Sequence, residues 1–164
     1  MRDFKVIGLM SGSSLDGVDI ACVNFSHDNK TWFFQIVEAG NVPYSEYWKE
    51  QLSLAFNKDK EELKELDKEY GRYLGTITQK FIKKYDMEPK LIASHGHTIF
   101  HRPEEGFTLQ IGDGQEIANA TGIMTINDFR TEDVEKGGQG APLVPIGDRH
   151  LFAEYPICLN IGGI

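Results

Sequence analysis

The chain opens on an apolar run, Phe4 to Met10, of the kind a short buried strand carries. From Val18 to Phe25 the pattern alternates, with Val18, Ile20 and Cys22 on one face of a strand and Asp19, Ala21, Val23 and Phe25 on the other. A polar turn, His27-Asp28-Asn29-Lys30, leads to a third strand, Trp32 to Ala39. The first forty residues therefore predict an antiparallel meander. The period then lengthens. Trp48, Leu52, Ala55 and Phe56 recur at helical spacing behind Ser45, an N-cap residue. A longer helix starts at Asp59, with Glu62 completing a capping box. Its apolar stripe is Leu63, Leu66, Tyr70, Tyr73, Leu74, Ile77 and Phe81, and Lys80, Lys83 and Lys84 sit near its C-terminal end, where the dipole favours cations. Strand patterns return after Pro89, at Leu91 to Ser94, Phe107 to Ile111 and Ile123 to Ile126. Asp113 caps a short helix that stops at Gly122. A Gly/Pro-rich loop, Gly137 to Pro145, precedes a brief helix around Gly147 to Phe152 and a last strand, Ile157 to Ile161. The expected fold is α/β, a mixed sheet with helices packed on it.

Length and composition narrow the class. The 164 residues suffice for one domain. A net charge of −8 argues against a binder of nucleic-acid backbones, and no apolar run reaches the ~20 residues of a membrane span. Cys22 and Cys158 form neither a disulfide framework nor a metal-ligand spacing. With no signal-peptide pattern at the start, the expected compartment is the cytoplasm. Asn160-Ile161-Gly162-Gly163 reads as a strand entering a glycine turn with no second arm. The expectation is an N-terminal piece of a longer protein, with residues 1–156 as its first domain and 157–164 beginning a second.

Four stretches carry candidate chemistry. Ser11-Gly12-Ser13-Ser14-Leu15-Asp16-Gly17 joins two strands with small residues and three hydroxyls, which suits a phosphate cradle. It lacks the lysine and the following helix of a Walker loop; a tight turn is the plainer reading. Ser94 to Pro103 holds His95, His97 and His101, which share one face if the segment is extended. That arrangement suits a metal, a polyhydroxylated ligand, or a satisfied strand end. Asp128 and Arg130, with Asp133, stand where a strand ends, suited to clamping a carboxylate or to pairing with one another. Gly137 to Pro145, with Gln139 among three glycines, describes a loop able to approach a ligand closely or a plain connector.

In combination these stretches resemble the N-terminal part of the anhydro-N-acetylmuramic acid kinases, members of the actin-like (ribonuclease H-like) ATPase superfamily. The matching segments are Gly8 to Asp19, Ser94 to Thr98, Gln110-Ile111-Gly112, Asp128-Phe129-Arg130, Asp133, Gly137 to Pro145 and Asn160 to Gly163. Ser13 stands where the family usually has Thr, and His97 where it often has Gln. The resemblance implies a protein about twice as long, with two actin-like domains and ATP between them. It implies conversion of 1,6-anhydro-N-acetylmuramic acid, ATP and water to N-acetylmuramic acid 6-phosphate and ADP, in peptidoglycan recycling. It places phosphates at Gly12, Ser13, Ser14, Leu15, Asp16, Gly17, Val18 and Asp19, with hydrated Mg2+ at Asp16. Sugar contacts fall to His95, His97, Thr98, Asp128, Arg130 and Gln139. The family's catalytic aspartate is expected beyond Ile164. The implied partners are the small-molecule sugar and ATP, and the longer protein is compatible with a homodimer.

Overall fold

The structure, a computed structural model, describes residues 2–28, 30–141 and 143–159. Strands β1 (Arg2–Ser11), β2 (Gly17–His27) and β3 (Trp32–Pro43) form the expected antiparallel meander. Helices α1 (Glu46–Leu54) and α2 (Lys60–Lys84) then carry the chain to β4 (Leu91–Arg102), which runs parallel to β1. Strand β5 (Phe107–Ile111) folds back antiparallel to the second half of β4. Helix α3 (Gly114–Thr121) returns the chain to β6 (Thr125–Ile126), parallel to the first half of β4. Two further helices follow, α4 (Thr131–Glu135) and α5 (Leu143–Leu151). The sheet order is β3-β2-β1-β4-β5, with β6 beside β4. This mixed sheet with packed helices is the α/β fold of an actin-like ATPase.

The helix starts are built as their sequences require. Ser45 accepts from the Trp48 amide, Asp59 and Glu62 close a reciprocal capping box, and Asp113 accepts from the Gln115 and Glu116 amides. Each cap satisfies amides that have no intrahelical acceptor, and is worth about 1 kcal/mol. The core joins Ile7, Leu9, Val18, Ile20, Cys22 and Ile92 of the sheet to Leu66, Tyr70, Leu74 and Ile77 of α2 and Ile117 of α3. Helices α2 and α3 approach closely because Gly75 has no side chain; a Cβ there would lie 2.6 Å from that of Ala120.

Several boundaries differ from the pattern. Strand β4 continues through the histidine segment to Arg102, so that segment lies within a strand and not at its end. Only Thr125 and Ile126 of the stretch from Ile123 pair, because this short strand meets only Ile92 and Ala93. Helix α4 had no periodic signal in five residues, and α5 begins at Leu143, inside the expected loop. Residues 157–159 form no strand, and the remainder of the expected last strand, from Asn160, lies outside the described residues.

Candidate functional site

The hairpin between β1 and β2 turns within six residues. Leu15 adopts a left-handed φ of 55°, and its amide donates to the Gly12 carbonyl at 3.5 Å. The Ser14 hydroxyl donates to Asp16 Oδ1 at 2.8 Å, while the Asp16 carbonyl accepts from the Tyr44 amide at 3.3 Å. Gly17 is required by contact, since a Cβ would fall 2.4 Å from the Val42 carbonyl oxygen. Ser13, Ser14 and Asp16 are exposed at the tip, Gly12 and Leu15 are half-buried, and Asp19 accepts from Asn41 Nδ2. Val18 is fully buried, so its side chain belongs to the core and only its backbone reaches the hairpin.

Strand β4 does not keep one pleat. Leu9 pairs with Ser94 but Ser11 pairs with His97, so three steps along β4 match two along β1. The extra residue is Gly96, with φ 69°, a glycine bulge that reverses the alternation. His95 and His97 therefore point to opposite faces, which corrects the expectation that His95, His97 and His101 share one. The Nε2 of His95 accepts from Arg130 Nε at 2.9 Å. Nδ1 of His97 lies 2.7 Å from the Ser11 hydroxyl, on the core face. His101, past a second irregularity after Thr98, bonds Thr108. Among the described residues no three His, Cys, Asp or Glu side chains are gathered to hold a metal.

Burial, with the nearby His95 charge, holds the His97 pKa down to about 4. Unfolded, the same imidazole titrates near its ordinary value of 6.5. Between those pH values the unfolded chain carries the extra proton, so stability falls as pH drops from 6.5 towards 4. The expected loss is up to about 3 kcal/mol. Denaturant unfolding at pH 7, 5 and 4 should show His97→Gln losing less than the wild type; parallel losses would contradict it.

Arg130 stands at the start of α4 with no side-chain cap bond, and its NH1 donates to the Gly140 carbonyl at 2.5 Å. Its guanidinium is half-buried and, among the described residues, has no carboxylate within 4.0 Å. The simple Arg130–Asp133 pairing is not made. Asp133 Oδ2 accepts instead from the Gly140 amide at 2.7 Å, closing the glycine loop on itself. A partly desolvated guanidinium without an acid is a place for an anion. Thr98 accepts from Gln110 Nε2 at 3.4 Å. Asp128, at φ 56°, accepts from the Thr131 amide, and both Asp128 and Gln139 are exposed.

A groove of about 630 Å³ runs over this face, lined by Met10, Asp19, His95, Phe129, Arg130 and Val144. It joins the hairpin base to the Arg130 cluster. A larger cleft of about 890 Å³ lies on the other side of the hairpin, but Asp16, Glu46 and Glu50 outnumber Lys49 there. Lys49 is also spent on Glu46 at 2.8 Å. The larger cleft is thus the poorer anion site, and chemistry outweighs volume. The buried hydroxyls of Tyr44 and Tyr70, which bond Ser11 and one another, had no site signal in sequence: apolar spacing marks Tyr70 only as core, and Tyr44 falls in no periodic stretch.

The sequence profile of the anhydro-N-acetylmuramic acid kinases matches residues 4–164. A protein named anhydro-N-acetylmuramic acid kinase in Shewanella halifaxensis is 41% identical over 173 residues, covering 100% of this chain and 46% of its own length. Proteins of the same name in Pasteurella multocida and Gloeothece citriformis are 40% and 38% identical, each over 96% of this chain and 44% of their own length. The chain spans a little under half the length of these relatives. With a profile match over nearly every residue and relatives about 40% identical along the chain, the chain belongs to the anhydro-N-acetylmuramic acid kinase family.

Proposed function

We propose that this chain is the phosphate-hairpin half of a cytoplasmic kinase that converts 1,6-anhydro-N-acetylmuramic acid, ATP and water to N-acetylmuramic acid 6-phosphate and ADP. The carrying observation is the groove that runs from Met10 and Asp19, on the strands that flank the hairpin, to an Arg130 guanidinium with no acid partner among the described residues. In this reading water adds to the anomeric carbon, the anhydro bridge opens, and the freed O6 takes the γ-phosphoryl group. The Gly12, Ser13 and Ser14 backbone and hydroxyls receive the phosphates. Arg130, held by His95 and the Gly140 carbonyl, receives the lactyl carboxylate. Thr98, Asp128 and Gln139 are the nearby polar groups for sugar hydroxyls.

The residues present fit Mg2+ through water. Asp16 offers an exposed carboxylate at the hairpin tip, with one oxygen engaged by Ser14. The ion, when bound, would neutralise charge on the phosphates. The base for the attacking water is not assigned to this chain. Asp133 is committed to its loop, and Asp128 and Asp148 stand outside the residues lining the groove.

One wall of a site cannot position both substrates, and positioning is most of phosphoryl-transfer catalysis. The 164-residue chain alone should therefore give no sustained 6-phosphate from the anhydro sugar and ATP. Mg2+-ATP added to the 15N-labelled chain should shift amides of residues 12–17, weakly. Sustained turnover, or shifts confined to other surfaces, would count against the assignment.

A further inference from the structure

The Ser11 hydroxyl sits where β1 ends and the hairpin begins, and it is 4% exposed. It lies 2.7 Å from His97 Nδ1 and 2.6 Å from the Tyr44 hydroxyl, which is 2.5 Å from the Tyr70 hydroxyl. One residue of this chain comes from β1, one from β4, one from the β3–α1 junction and one from α2. Three hydroxyl hydrogens must fill three bonds. If Tyr70 donates to Tyr44, Tyr44 to Ser11, and Ser11 to His97, every hydrogen is used. The opposite polarity leaves the Tyr70 hydrogen no acceptor within these three bonds, and Tyr70 is fully buried. The donor-acceptor count thus selects the imidazole that carries its hydrogen on Nε2.

We propose that His97 is a positioning residue for the phosphate hairpin, accepting the Ser11 hydrogen at Nδ1 and so fixing the point at which β1 turns into the loop. The bulge at Gly96 is what delivers it: without the reversal of faces, His97 would point away from Ser11. The sugar-contact role expected for His97 passes to the residues on the opposite face. Tyr44 holds the hairpin at two points, through its hydroxyl to Ser11 and its amide to the Asp16 carbonyl. The hairpin is therefore gripped at its entrance and at its exit.

The inference rests on the hairpin being the phosphate site, yet it can be tested without nucleotide. In 15N spectra of the chain at pH 7, His97 should show an unprotonated Nδ1 and a protonated Nε2. Amide exchange at Leu15 and Tyr44 should be about tenfold faster in His97→Leu. His97→Gln, which keeps an acceptor, should restore the wild-type rate. If His97→Leu does not fold, Tyr44→Phe breaks the next link and should speed the same amides. A protonated Nδ1, or amide exchange unchanged in the variant that folds, overturns the proposal. Adding Mg2+-ATP to the same samples reads the phosphate assignment separately: a well-ordered hairpin that ATP does not shift would fail that reading and leave the positioning role standing.

Discussion

Asp16→Ala in the full-length protein should lower turnover at least about tenfold, because in the proposed reading its charge is preorganised against the phosphates and their cation and acts mainly in the transition state. The side chain is exposed, and among the described residues its one side-chain hydrogen bond is from the nearby Ser14. Its removal should change folding stability by no more than about 0.5 kcal/mol. The combination discriminates: a catalytic loss at unchanged melting temperature places Asp16 in the site. Ser14→Ala should cost less, since it removes a neutral donor and leaves the carboxylate. A fully active Asp16→Ala enzyme would remove Asp16 from the machinery.

The largest effect on stability is expected at Gly96. Its φ of 69° strains any other residue, and a Cβ would fall 2.3 Å from the Ile111 carbonyl oxygen. The atom it would meet is backbone, not the end of a flexible side chain, so either β4 or β5 must shift. Gly96→Ala should cost on the order of 3 kcal/mol and lower the melting temperature by about 10 °C. Gly106 supplies the control. It has nearly the same φ, 70°, but nothing within 4 Å of its Cβ position. Gly106→Ala should therefore cost only the backbone strain, about 1 kcal/mol. Equal losses in thermal unfolding would mean that the close approach to Ile111 contributes nothing.

The parts of the fold written in local chemistry were legible in the sequence. Alternation at Val18 to Cys22 marks the buried face of β2, and the caps at Ser45, Asp59 and Asp113 stand where helices begin. The faces of β4 were not legible, because alternation assumes an unbroken pleat and a single glycine bulge reverses it. Ser94-His95-Gly96-His97 looks the same either way until the parallel partner, β1, sets the register. Helix α5 was hidden by Pro145. Proline reads as a breaker, yet at the third helical position its missing N–H removes no intrahelical bond. The Arg130 cluster was half legible: its residue types stood out, but the preference of Asp133 for the Gly140 amide comes from the loop's closure.

The central claim is that this chain builds the hairpin side of a site that opens an anhydro sugar while phosphorylating it. The most direct measurement is on the full-length protein, supplied with 1,6-anhydro-N-acetylmuramic acid, ATP and Mg2+, following sugar phosphate and ADP together. The account predicts N-acetylmuramic acid 6-phosphate and ADP in equal amounts, with one oxygen from 18O-labelled water retained at the anomeric carbon. ADP without sugar phosphate, or a phosphorylated sugar whose anhydro bridge is intact, would contradict it.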